Sequence, residues 1–485
     1  MPTLSLLVWL PIGSALLVFL LPKSVTSNYC QKLAFISAII SLLPSLALGQ
    51  GWDLQRSGWQ LQEQTSWLEV FGLHYSLGLD TISLPLVWLH NLLVGVAIWA
   101  SDRVERPRLY FGLLLLLSGG VTGAFLATNL LLFFLFYELE LIPLYLLIAI
   151  WGGEGRAYAS TKFLIYTAVS GILMLVAFFG VSAFASAPDT ISFDWQYLHT
   201  HPIAPGLQAV FLGVLLVSFG IKIPLVPLHT WLPDAHVEAS TPISVLLAGV
   251  LLKLGTYGLL RFGLGLFPEA WQNFAPYLAA WAVVSVLYGC FTAITQTDMK
   301  KMVAYSSIGH MGYVLLALAS ATPLSLVGAM WQMLSHGLIS ALLFLLVGIV
   351  YAKAGTRDLH KVQGLFNPEC GLPFVGTMLV LSVMASAGIP GLMGFVAEFL
   401  VFRGSFTVFP MATLFCILGT ALTAVYFLIL VDRTFFGRLE RVLLPVQWQE
   451  RAPVVVLVTI VVGLGLQPSW LTALWQGTFI DLSSG

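Results

Sequence analysis

With 485 residues, 58% of them hydrophobic, 9% charged and a mean hydropathy of +0.93, the chain falls outside the ordinary soluble class, where about a quarter of residues are charged. A formal net charge of −1 leaves no basic stretch for a nucleic-acid backbone once the charges beside apolar segments are assigned. Cys30, Cys290, Cys370 and Cys416 are far apart and form no CxxC pair, so neither iron–sulfur nor zinc ligation is expected.

Hydropathy predicts an all-α polytopic membrane protein with about fourteen transmembrane helices. They lie near 3–22, 30–50, 80–100, 109–127, 129–150, 160–185, 207–229, 241–265, 273–296, 301–320, 324–352, 372–402, 407–436 and 452–470. The first run, Leu4 to Leu21, lacks a small-residue cleavage site and reads as a retained helix. With the N-terminus outside, only Arg56, Arg261 and Arg403 of the 21 Lys and Arg residues reach the outer side, while Lys222 and Lys253 stay within the membrane. That asymmetry places both termini outside. The outer loops 51–79 and 186–206 carry Trp52, Trp59, Trp67 and Trp195, in keeping with an aromatic belt.

Two segments carry breaks. In FGIKIPLVPLHTWLPDAHVEASTP, Pro224 and Pro227 each remove a helical N–H, so the seventh span should open just after Lys222. Ser240-Thr241-Pro242 is a hydroxyl cap followed by a first-turn proline and should start the next helix. In AGIPGLMGFVAEFLVF, Gly388, Pro390, Gly391 and Gly394 surround a second bend, followed by Glu398. Breaks in the seventh and twelfth spans, an odd number of spans apart, point to two inverted five-helix repeats, each with one broken helix. The expected division is 1–108 for the first three helices, 109–265 and 273–436 for the repeats, and 437–485 for a C-terminal helix and tail.

A lysine at mid-bilayer costs ~2.5–3.5 kcal/mol on insertion scales, so intramembrane ionisable residues are candidates for charge movement. The candidates in chain order are Glu138, Lys222, Lys253, His310, His336 and Glu398. A row of buried acids and bases on different helices can pass a proton, because protonating one member shifts its neighbours. Glu140 lies two residues from Glu138, about 200° round an ideal helix, so the two should not face one partner. Structural alternatives stay open: an ion pair for Glu138, a hydrogen-bonded core role for either histidine, and an interfacial pair of Glu398 with Arg403. His229 and His236 flank the first break and serve as caps or take part. No metal site is expected, since no carboxylate-rich cluster accompanies them.

The stretches YELELIPLYLLIAIWGG, LLAGVLLKLGTYGLLR, KKMVAYSSIGHMGY, SHGLISALLFLLVG and GIPGLMGFVAEF, with the first break, together resemble the antiporter-like, proton-pumping membrane subunits of complex I, covering roughly residues 75–440. The likeness is greatest to the chain 4 (M-type) subunit, with Mrp-type sodium/proton antiporter subunits as more distant relatives. The ELELIP and TKFLIYTA segments look most like the cyanobacterial and chloroplast NDH-1 branch. The resemblance implies that Glu138 pairs with Lys222, that Lys253 is the central lysine, and that His310 and His336 lie on the central axis. It implies that Glu398 is the twelfth-helix glutamate typical of chain 4. It further implies a subunit of an NAD(P)H- or ferredoxin-driven plastoquinone oxidoreductase in the thylakoid membrane. Nucleotide, iron–sulfur clusters and quinone would be held by partner subunits, and no cofactor or redox centre by this chain. Tyr137 in place of a commoner tryptophan, and the divergent first 75 residues, leave open the variant complex that supports CO2 uptake. The alternative function is a Mrp-type antiporter subunit.

Overall fold

The structure, a computed structural model, describes residues 3–49, 52–53, 58–68, 72–102, 104–185, 191–439 and 442–483. The chain begins with α1 (Thr3–Leu20) and α2 (Ser27–Leu48), followed by a hairpin of β1 (Leu61–Leu68) and β2 (Leu73–Leu79). Then come α3 (Ser83–Trp99), α4 (Pro107–Leu126), α5 (Leu130–Leu139), α6 (Leu141–Trp151), α7 (Arg156–Ala185), the short α8 (Trp195–Thr200) and α9 (Pro205–Lys222). After the first break stand α10 (Trp231–Glu238), α11 (Thr241–Leu246) and α12 (Leu252–Gly258), with π-helical turns at Leu247–Leu251 and Leu259–Leu264. The remainder is α13 (Pro268–Ile294), α14 (Met299–Ser320), α15 (Pro323–Ala354), α16 (Pro373–Ser386), α17 (Met393–Phe406), α18 (Pro410–Phe435), α19 (Trp448–Leu466) and α20 (Ser469–Ser483). Among the described residues, twelve helical segments are long and apolar enough to cross a bilayer, and Ser83–Trp99 and Pro373–Ser386 are shorter apolar helices.

Both anticipated breaks are present. α9 ends at Lys222, where Pro224 and Pro227 follow, and the next helix starts at Thr241 with Pro242 in its first turn. The Ser240 hydroxyl, expected to cap that helix, makes no capping bond. Between α16 and α17 the chain turns through Gly388 at φ +69° and Gly391 at φ +92°, the left-handed region that glycine enters without a Cβ clash. A further interruption falls between α5 and α6: Pro143 has no N–H to offer the Leu139 carbonyl one turn back, and the helix restarts at Leu141.

The segment 61–79, expected as plain loop, is an antiparallel hairpin in register Leu61↔Leu79 to Leu68↔Leu73. Leu73, Tyr75, Leu77 and Leu79 alternate with His74, Ser76 and Gly78, the period-2 pattern of a strand. The hairpin tethers α1: the Glu63 carboxylate accepts the Leu4 N–H at 2.7 Å, the Ser5 N–H at 2.9 Å and the Ser5 hydroxyl at 2.6 Å. An anion at a helix N-terminus satisfies orphan donors and opposes the helix dipole.

The chain forms two compact units, one of Met1–Pro224 with Val250–Pro276 and one of Leu225–Gly249 with Tyr277–Gly485. In the first, α4 is the buried centre, and glycines let α1 and α5 approach it: a Cβ at Gly119 or Gly123 would collide with Ile12 or Phe136. In the second, α14 and α15 are almost wholly buried. Thr322 and Ser325 form a capping box at the start of α15, and Gly355 at φ +71° ends it. The C-terminal region holds a second helix not anticipated from hydropathy, α20. Its Thr472 hydroxyl accepts the Trp331 indole N–H at 3.0 Å, and Trp475 meets Trp331 edge to face at 5.8 Å.

Candidate functional site

In the first unit, the Lys222 side chain is 1% exposed and its ammonium is hydrogen-bonded to Glu140, which is fully buried. The Tyr137 ring lies beneath the ammonium, 4.5 Å from Nζ to the centroid. The direct carboxylate partner is thus Glu140, not Glu138 as expected. Glu138 is half-buried, within Coulombic range of Lys222, and its carboxylate rests on Gly171 of α7, where a Cβ would collide with it. Glu140 is not turned away from Lys222 as in an ideal helix, because Pro143 interrupts the helix at that point. Ser170 and Ser218 exchange bonds across α7 and α9: each hydroxyl donates to the other's carbonyl, at 2.8 and 2.7 Å. The Ser170 hydroxyl also meets Tyr137 Oη at 3.1 Å, so one serine ties α7 to α9, which carries Lys222, and to α5, which carries the aromatic floor.

Lys253 is fully buried, on α12 between the two π-helical turns, a geometry that recurs at functional positions. The neighbouring Gly255 brings this helix against the end of α9: a Cβ there would stand 2.7 Å from Ile223 Cγ1 and 3.2 Å from Lys222 Cβ. Arg261, assigned above to the outer side, is 7% exposed and ion-paired with the buried Asp80. Trp59, Tyr257 and Trp195 surround its guanidinium at 4.3, 5.4 and 5.7 Å. Two of the supposed belt tryptophans therefore enclose a buried cation. The arginine was expected at the outer end of the 241–265 span, and the hairpin, flanked by Trp59 and Asp80, is what brings those partners to it.

In the second unit, His310, His336 and Glu398 come together around a cavity of about 10 Å3, about the room one water molecule needs, lined also by Gln332, Ser386 and Ser306. The His310 and His336 rings are 5.6 Å apart. His310 Nε2 lies 3.0 Å from Ser386 Oγ, Gln332 Nε2 donates to His310 Nδ1 at 3.2 Å, and Glu398 Oε1 stands 3.8 Å from Nδ1. Thr420 donates to the other carboxylate oxygen at 2.9 Å. With Nδ1 accepting, the neutral ring carries its proton on Nε2 and gives it to Ser386. A proton arriving at Nδ1 displaces the Gln332 amide donor and turns the ring into a cation facing Glu398. Gln332 Oε1, which has no hydrogen bond here, can then rotate in as acceptor. Glu398 is 4% exposed, its polar neighbours being Thr420 and His310, whereas Arg403 is exposed. His236 stacks on Phe344 at 4.4 Å, and His229 lies against Tyr288 at 4.9 Å, both buried. Among the described residues, no group of three or more His, Cys, Asp or Glu is placed to hold a metal ion. Gln332, Ser386 and Thr420 carry no charge to stand out in a hydropathy profile, so only packing reveals them.

The family model described as NADH:quinone oxidoreductase/Mrp antiporter, TM, matches residues 127–423, which include all six candidate residues. NAD(P)H-quinone oxidoreductase chain 4 1 of Synechococcus sp. (strain JA-3-3Ab) is 41% identical over the whole of this chain and 93% of its own length. NAD(P)H-quinone oxidoreductase chain 4-2 of Synechocystis sp. is 40% identical over 90% of this chain and 78% of its own. Among solved structures, a chain of respiratory complex I from Thermus thermophilus with bound NADH superposes with a TM-score of 0.90 at 29% identity, covering 99% of this chain and 100% of that one. A chain of the Mrp complex from Dietzia sp. shares the fold at a TM-score of 0.88 but only 21% identity, covering 99% of this chain and 98% of that one. This chain belongs to the NADH:quinone oxidoreductase/Mrp antiporter family of transmembrane subunits.

Proposed function

We propose that the chain is a proton-translocating membrane subunit of an NAD(P)H- or ferredoxin-driven plastoquinone oxidoreductase of the NDH-1, complex I-like type, seated in a cyanobacterial or chloroplast thylakoid membrane. The observation that carries this reading is that each unit holds a buried acid–base set: Glu140 and Lys222 in one, His310 and Glu398 in the other. Charge buried in a membrane span is costly and marks a candidate for charge movement, and titratable pairs in low dielectric can pass a proton. Glu138, Lys222, Lys253, His310, His336 and Glu398 are assigned as its members, and two inverted five-helix repeats as its frame. Lys253 would be the central base of its unit, and Glu398 an acid that receives from His310.

The redox chemistry belongs to partners in this reading: nucleotide or ferredoxin, iron–sulfur clusters and plastoquinone would be bound by other subunits, this one supplying charge movement next to further antiporter-like subunits. The 41% identity with a cyanobacterial chain 4 supports this branch, whereas the likeness to the Mrp complex, at 21%, carries architecture without activity. The divergent N-terminal residues keep the CO2-uptake variant as a member of the same class.

The test is purification followed by transport. The tagged chain should copurify with hydrophilic iron–sulfur subunits, and membrane vesicles given electron donor should acidify in a quinone-dependent way that Lys222→Ala abolishes. Copurification with other antiporter subunits alone, and sodium-dependent proton exchange without donor, would establish the Mrp reading instead.

A further inference from the structure

We infer that Lys222 serves two carboxylates in turn, Glu140 and Glu138, and that protonation of one hands the ammonium to the other. The inference rests on the proton-translocating reading above and goes beyond it, since a single acid–base pair needs only one of the two glutamates.

An ammonium has three N–H donors, and Lys222 spends one on Glu140 Oε1, while Tyr137 offers the face of its ring rather than an acceptor. Glu140 Oε2 is buried with no hydrogen-bond partner, so this carboxylate is held at one oxygen only. Glu138 lies within Coulombic range of the same ammonium. Its carboxylate is seated in a notch that Gly171 alone leaves open, beside the Ser170–Ser218 clasp that fixes α7 to α9 one turn before Lys222. The helix interruption at Glu140 turns that carboxylate onto the ammonium, while Glu138, two residues earlier, lies within Coulombic range of it. The charges around the ammonium are these two carboxylates, with the Tyr137 hydroxyl beside them.

The step moves one proton. A proton reaching Glu140 makes an O–H bond and neutralises it, and the ammonium, keeping its own three protons, transfers its hydrogen bond to the Glu138 carboxylate. Loss of that proton from Glu140 to the next acceptor restores the carboxylate and draws the ammonium back. Only one O–H bond forms and breaks, so the cycle delivers a proton and leaves Lys222 charged throughout.

The test uses the whole complex in native membrane vesicles, with Lys222→Ala, Glu138→Gln, Glu140→Gln, Glu140→Asp and Gly171→Ala. Glu138→Gln and Glu140→Gln should each lower protons moved per electron at least tenfold in complexes that assemble. Glu140→Asp should recover a substantial part, and Gly171→Ala, which evicts Glu138 from its seat, should behave like Glu138→Gln. Infrared difference spectra on turnover should show carboxyl signals from both residues, each removed by its own Gln substitution. If Glu140→Gln pumps normally, or only reduces the amount of assembled complex with protons per electron unchanged, Glu140 is a structural counter-ion and the inference fails. Normal pumping by Lys222→Ala would overturn the proton-translocating role itself, a different result from loss in Lys222→Ala with none in Glu140→Gln.

Discussion

His310 Nδ1 and Glu398 Oε1 stand 3.8 Å apart, joined to one polar cluster by Gln332 on the ring nitrogen and Thr420 on the carboxylate. The pair is too far apart for a direct hydrogen bond and close enough for a strong field in low dielectric, so a small movement would suffice for the two to share a proton under the proposed relay. Glu398→Gln should therefore cut proton transport at least tenfold, because an amide cannot exchange the proton. Thr420→Val, which removes only the hydroxyl, should cost about tenfold or less. Arg403→Gln, at an exposed position, should leave transport nearly intact. Acidification in donor-energised vesicles measures all three, and equal transport by Glu398→Gln and wild type would make the glutamate structural.

Lys253→Arg preserves positive charge yet should lose most transport. The lysine is fully buried, and a guanidinium hardly gives up its proton. Assembly measured on native gels should persist while protons moved per electron fall. Wild-type turnover in this variant would reduce Lys253 to a fixed charge.

Asp80 and Arg261 form a buried ion pair enclosed by aromatic rings. Removing one partner strands the other charge, which costs about 3–5 kcal/mol, whereas replacing both with apolar side chains is often near neutral. Asp80→Leu and Arg261→Met should each sharply lower the thermal stability of the purified complex, and the double variant should recover most of it. Additive losses in the double variant would mean that the two residues act independently.

Gly388 and Gly391 both require the left-handed backbone, at φ +69° and +92°, so alanine at either should cost about 1–2 kcal/mol. They differ in surroundings: a Cβ at Gly388 would stand 2.7 Å from Glu398 Oε2, while nothing lies within 4 Å of one at Gly391. Gly391→Ala should lower the melting temperature alone, and Gly388→Ala should lower both melting temperature and transport. Matching transport in the two variants would separate the break from the carboxylate.

Features that depend on local chemistry could be read along the chain. Apolar runs and the one-sided distribution of Lys and Arg made a many-span membrane protein legible, because each span must satisfy its own backbone in lipid. Pro224, Pro227, Gly388 and Gly391 announced the two breaks, because proline's missing N–H and glycine's free φ act at the residue itself. The alternation from Leu73 to Leu79 is equally local, but the segment reads as loop and the pairing of its two strands emerges only in the fold. Tertiary structure decided who meets whom. Glu140 rather than Glu138 binds Lys222 because Pro143 ends a helix that ideal geometry would have continued. Arg261 is buried because Asp80 and Trp59, some two hundred residues earlier, fold over it. Thr420, Gln332 and Ser386 join Glu398 and His310 only through helix packing. A charge shows in the sequence as a cost, but its partner is chosen by distance in three dimensions, which residue spacing along separate helices does not encode.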